Sequence, residues 1–169
     1  RNNLAAIVVS GILFAGLRVG GEKLQISTDT PIHIGVMLQG AILLFALVFY
    51  WTPPHFWALA LRIGPDYAAA GVPMLPVTAG PAETARQIWL YTILLVVMSL
   101  MLWAVAGMGL VYLAVAIVGG GIFLLRAWRL RSDVLGDGLL RGATRLYRFS
   151  ISYLTLIFAA IAIDSILPR

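Results

Sequence analysis

The stretch "IHIGVMLQGAILLFALVFYW", residues 32–51, is twenty residues long and contains no lysine, arginine, aspartate or glutamate. At about 1.5 Å per residue an α-helix of that length rises about 30 Å, the thickness of a bilayer's hydrocarbon core. The composition of the whole chain says the same. Of its 169 residues 61% are hydrophobic and 11% charged, and the mean hydropathy is +0.95. That is more apolar surface than a globule of this length hides, so the natural solvent is lipid. The expected fold is all-α, a polytopic membrane helix bundle.

Four further runs have the length and polarity of a crossing, near residues 4–20, 88–106, 108–127 and 148–167. They are joined by the polar turn "GGEKLQISTDTP", the long segment 52–87, the short uncharged "AGMG" and the basic "RAWRLRSDVLGDGLLRGATRLYR". With five crossings, the segments after the second and fourth lie on one side. The latter carries Arg126, Arg129, Arg131, Arg141, Arg145 and Arg148 against Asp133 and Asp137, which places both in the cytoplasm. The net charge of +5 follows from the same bias. No basic stripe with interleaved aromatics points to nucleic acid. Cysteine is absent, so neither disulfides nor thiolate metal sites are available, and chemistry falls to His, Asp, Glu, Arg, Tyr and metals. The chain begins at Arg1 with no signal-peptide pattern and reads as a fragment.

The stretch that follows, "WTPPHFWALALRIGPDYAAAGVPML" over residues 51–75, mixes prolines, aromatics and charges. Pro53 and Pro54 lack the N–H a helix interior uses, so they are expected to kink or restart the helix. Were residues 32–62 helical throughout, they would span roughly 46 Å and overrun the hydrocarbon core. Gly64 and Pro65 break the chain again, just before Asp66 and Tyr67. His55, Arg62 and Asp66 are spaced about two and three turns apart, so an unbroken helix would carry them on one face. On position alone, Arg62 and Asp66 read as charges ending a helix, His55 as a packed side chain, and Tyr50, Trp51 and Trp57 as an interfacial aromatic belt. Gly71 permits a tight turn, Pro73 and Pro76 stiffen the loop, and Glu83 and Arg86 begin the next helix.

The order of the residues adds a resemblance. "WTPPHFWALA", then "DYAAAGVPMLPV" and "ARQIWLYT", resembles the protohaem IX farnesyltransferases of the UbiA prenyltransferase superfamily, and the likeness returns in "ATRLYRFSISYLTLIFAAIAID". It implies a single membrane-embedded prenyltransferase domain over residues 1–169, holding the last five of nine helices, with an active-site segment at 51–87 facing the cytoplasm of a bacterial inner membrane. Its implied substrates are haem b and farnesyl diphosphate, with a haem A synthase as partner. The superfamily's first aspartate-rich motif is not in this chain, so half of the metal ligands are missing and the fragment alone is expected to be inactive.

On this resemblance Asp66 is the candidate Mg²⁺ ligand, because a departing diphosphate is best stabilised by a hard cation held through carboxylate oxygens. Arg62 offers a fork suited to phosphate oxygens. Tyr67, Trp57 and Phe56 offer ring faces to an allylic cation, Tyr67 being best placed, and Trp51 lines the same substrate pocket. His55 either approaches the haem iron or handles protons near the reacting vinyl carbon. Arg126 and Arg148 either hold the haem propionates or anchor the cytoplasmic side. A UbiA-type enzyme with another aromatic acceptor should show more carboxylates here, and a transporter should repeat ionisable residues inside its spans. An assembly subunit would need no such site.

Overall fold

The structure, a computed structural model, describes residues 33–134, 136 and 138–167, together with residues 12, 15, 16, 19 and 20 of the N-terminal run, which are helical. The remainder of the expected first span at 4–20, the Asp29 turn and Asp137 lie outside the described residues. The described chain forms α1 (His33–Arg62), α2 (Gly64–Ala69), α3 (Leu75–Thr78), α4 (Gly80–Ala106), α5 (Leu110–Ser132) and α6 (Leu139–Ile166). Four of these, α1 from Met37 onward, α4, α5 and α6, are long and apolar enough to cross a membrane.

Two expectations about boundaries change. The prolines do not restart the helix: α1 runs through Pro53 and Pro54 for 30 residues, about 45 Å. A proline ring imposes a φ that is itself helical, so the two in succession give up their own N–H bonds while the helix continues beyond them. The next helix begins at Gly80, eight residues before the apolar run at 88, with the expected Glu83 in its first turn. Its first turn contains Pro81, where no N–H is needed, and Glu83 accepts hydrogen bonds from Arg86 (3.0 Å) and Gln87 (2.7 Å). The basic segment expected as a connection is mostly helix. Helix α5 continues to Ser132 and α6 begins at Leu139, because arginines favour a helix and extend it beyond the lipid once the apolar run ends.

The break at Ile63 falls where expected. Asp66 and Tyr67 both donate their backbone N–H to the Ile63 carbonyl, each at 3.1 Å, so α2 is a new helix. Gly71, at φ +66°, turns the chain out of α2, a backbone value that costs glycine nothing. The left-handed Gly107 ends α4 and closes the turn into α5 with its N–H on the Trp103 carbonyl.

The four long helices form a closed ring in which α1 packs against α4 and α6, and α5 against α4 and α6. Leu43, Leu47, Ile88, Leu95, Phe123, Leu146 and Ile157 fill the middle, while Met37, Phe45, Leu110 and Val118 point outward. Small residues on α5 let the helices approach, as in membrane bundles generally. A Cβ on Gly119 would lie 3.0 Å from the Tyr153 ring, and one on Gly120 would lie 3.0 Å from Val96. Gly119→Val therefore overpacks a contact with no slack. The expected loss is about 1–3 kcal/mol, read as a lower thermal-unfolding midpoint of the complete protein in detergent; an unchanged midpoint would refute the close contact.

Polar groups inside the ring are paired. The Tyr112 hydroxyl donates to the Ser99 carbonyl at 2.8 Å, the Tyr153 hydroxyl donates to Ser99 Oγ at 2.9 Å, and Ser99 Oγ donates to the Val96 carbonyl at 2.8 Å. Among the described residues no buried side-chain nitrogen or oxygen is left without a partner, as a low-dielectric interior requires.

Candidate active site

His55 directly follows the paired prolines on α1, about 10 Å along the helix from Arg62. Its ring is stacked on Trp51, one turn earlier, at 4.3 Å and 18°, and on Tyr147 of α6 at 4.6 Å and 23°. Two near-parallel rings at these distances cannot share one face of an imidazole without overlapping. Trp51 and Tyr147 therefore cover opposite faces. Phe56 meets the ring edge-on at 5.5 Å, and Nδ1 lies 2.7 Å from Ser150 Oγ. Trp51 Nε1 donates to the Ser150 carbonyl at 2.8 Å.

The contact between α1 and α6 thus presents a histidine held on three sides. Trp57, two residues on, is half-buried with its ring perpendicular to Tyr91 at 5.3 Å. Phe56 is exposed.

The charged candidates stand apart from this station. Arg62 is exposed at the end of α1, Asp66 is exposed on α2, and Tyr67 is half-buried beside it. Because α2 is a separate helix, the common face expected for His55, Arg62 and Asp66 does not form from one continuous helix. Among the described residues the only ion pair is Arg86 with Glu83, so Arg62 and Asp66 are not locked to each other. No group of three or more His, Cys, Asp or Glu gathers to hold a metal among the described residues. Asp66 by itself does not make a Mg²⁺ site, which needs several oxygen ligands in octahedral array.

Arg126 is half-buried. It donates to the Arg145 carbonyl at 3.0 Å and lies over the Phe149 ring at 4.4 Å, a cation–π contact that holds it in the α5–α6 seam. It lines a cleft with Arg129, Asp133, Arg141 and Arg145, and the exposed Arg148 lines an adjoining shallow groove with Leu140 and Thr144 that shares Arg141 and Arg145 with the cleft.

Tyr147 and Ser150 are the site residues that reading the sequence missed. Both fall in the quoted α6 stretch, three apart and so on one helical face. A serine and a tyrosine on one face of a membrane helix were the available signal.

A ring of long apolar helices with an aromatic-walled histidine at one helix seam defines a polytopic integral membrane protein with a candidate site beside α1. The sequence model of the UbiA prenyltransferase family matches residues 1–135, and the chain belongs to that family. It is 52% identical to a protohaem IX farnesyltransferase of Synechocystis sp. over 124 residues, 73% of this chain and 38% of that protein. It is 48% identical to the enzyme of the same name from Cutibacterium acnes over 129 residues, 75% of this chain and 38% of that protein. For that of Trichormus variabilis the identity is 46% over 133 residues, 78% and 41% of the two chains. The matched stretch thus spans about two-fifths of these relatives' length. No solved structure matches the chain.

Proposed function

We propose that the protein containing this chain transfers the farnesyl group of farnesyl diphosphate to a vinyl group of haem b, yielding haem O and diphosphate, and passes the product to a haem A synthase in the same bacterial inner membrane. The supporting observation is that relatives 46–52% identical to the chain bear the name protohaem IX farnesyltransferase. In this reading the allylic C–O bond breaks with its electron pair on the diphosphate, and C1 of the farnesyl group bonds the terminal vinyl carbon. Water then adds as hydroxyl to the neighbouring carbon, with loss of a proton.

The residues divide this work. Arg62 pairs with diphosphate oxygens through a guanidinium that is always protonated. Asp66 is one ligand of the Mg²⁺ that accompanies the diphosphate, the other ligands coming from outside the described residues. Tyr67, Trp57 and Phe56 offer ring faces to the developing cation without a nucleophile that would trap it. His55, walled by Trp51, meets the haem, and the arginines of the α5–α6 turn hold its propionates on the cytoplasmic side. The lipid-facing flanks leave the farnesyl tail in an apolar medium and keep water away from the cation.

The test is incubation of membranes containing the complete protein with haem b and farnesyl diphosphate, followed by chromatographic separation of the haems. A farnesylated, hydroxylated haem is the expected product. Its absence, under conditions where a known farnesyltransferase makes it, would overturn the proposal.

A further inference from the structure

The Ser150 hydroxyl has one proton and two neighbours, and following that proton fixes the form of His55. Ser150 Oγ lies 2.7 Å from the carbonyl oxygen of Tyr147 and 2.7 Å from Nδ1 of His55. A carbonyl only accepts, so the serine proton goes to Tyr147 and the oxygen faces Nδ1 with a lone pair. That contact is attractive only when Nδ1 carries the hydrogen. A neutral imidazole protonated at Nδ1 holds its lone pair on Nε2.

The same serine also sets the ring's orientation. Its carbonyl takes the Trp51 N–H, so the indole that covers one face of the imidazole is tied to the residue that accepts from its edge. Tyr147, whose carbonyl receives the serine proton, covers the other face. Ser150 is itself fully buried. Nε2 has no partner among the described residues, and none of their buried nitrogens or oxygens is unpaired, so Nε2 is reachable from outside the packed core. A ring whose Nδ1–H is tied to an oxygen while Nε2 is open is the arrangement metal-binding imidazoles use.

We propose that Ser150 is a positioning residue that holds His55 in the Nδ1–H form, so that Nε2 is presented as an axial ligand to the iron of the haem substrate. This rests on the haem-farnesylating reading above. The first measurement uses the complete protein in detergent, with ¹⁵N-labelled histidine and no haem. The expected spectrum shows the His55 signals, assigned by their loss in His55→Ala, with Nδ1 protonated and Nε2 bare. A protonated Nε2 in the unsubstituted protein would overturn the proposal before any serine variant is made.

The second measurement titrates the same protein with ferric haem b and follows the Soret band and the electron paramagnetic resonance spectrum. Histidine ligation is expected in the unsubstituted protein and is lost in His55→Ala. Ser150→Ala is expected to weaken haem affinity by about 10–100-fold, the usual effect of removing the partner of a metal-binding histidine, and to mix the two ring tautomers. An unchanged affinity and ligation spectrum in Ser150→Ala would overturn the proposal.

Farnesyl transfer is assayed on the same preparations. Ser150-dependent ligation by His55 without any farnesylated haem would remove the proposed reaction and leave the haem ligand standing. Farnesylated haem made by a protein whose haem does not bind through His55 would remove the ligand and leave the reaction.

Discussion

In the complete protein, Asp66→Asn is expected to lower farnesyl-transfer turnover by about 100-fold or more while leaving the fraction of protein inserted in membranes unchanged. Asp66 is exposed on the six-residue α2, and its side chain takes part in no ion pair among the described residues. Its backbone supports the fold through the N–H given to Ile63 and the carbonyl that accepts from Ala70, and asparagine keeps both. The substitution therefore removes a negative charge and little else. A hard cation on a leaving phosphate contributes several kcal/mol to the transition state, and each 1.36 kcal/mol is about tenfold in rate, so losing a ligand of that cation should cost two decades. Turnover is measured with both substrates saturating, across a range of Mg²⁺ concentrations. A rate within twofold of the unsubstituted protein would take Asp66 out of the site.

The sequence made the lipid-facing character legible because twenty-residue apolar runs leave no other solvent, and it placed the Ile63–Gly64 break and the Gly71 turn through residues whose backbone chemistry is local. The helix ends were less legible. Hydropathy registers where lipid ends, whereas α4, α5 and α6 continue through Glu83, Arg131 and Arg141, side chains that a helix tolerates in water. Of the two outcomes expected at the paired prolines, a kink or a restart, the restart does not occur. Their cost is real, but the ring's φ suits the helix, and packing against α4 and α6 carries α1 past them.

The site divides in the same way. His55 and Trp51 are one turn apart, so their stacking follows from helical spacing. Tyr147 and Ser150 come from 92 and 95 positions further along the chain, and only the closed ring of helices brings them to the imidazole. The relation between His55 and Asp66 went the other way. Spacing joined them on one face, and a single bend at Ile63 separated them into two helices.

The far end of the bundle supplies the second large effect, and it concerns how α5 begins. Asp164, near the end of α6, is 4% exposed, and its Oδ2 accepts the N–H of Tyr112 at 2.9 Å. Tyr112 is the third residue of α5, the position whose N–H an N-cap serine or aspartate normally takes. The N-cap residue itself is Gly109, extended at φ −78° and ψ −174° and without a side chain to do this. A Cβ there would lie 2.9 Å from Asp164 Oδ1, so the carboxyl group of one helix occupies the place where the other helix's own cap would sit. Asp164→Ala leaves the Tyr112 N–H buried without a partner, an expected loss of about 2 kcal/mol. Gly109→Ser alone pushes against the carboxyl group and should cost about 1 kcal/mol. Combined, the two should cost less than Asp164→Ala by itself, because the serine hydroxyl can take the N–H once the carboxyl group is gone. The readout is the thermal-unfolding midpoint of the complete protein in detergent for the four members of the cycle, where contacting residues reveal themselves through non-additivity. If the two effects simply add, the carboxyl group is not acting as the cap of α5. If the double variant recovers stability, a helix start whose own N-cap has no side chain is capped from 52 residues away, and the last helix fastens the outer turn of the bundle to the ring that holds the site.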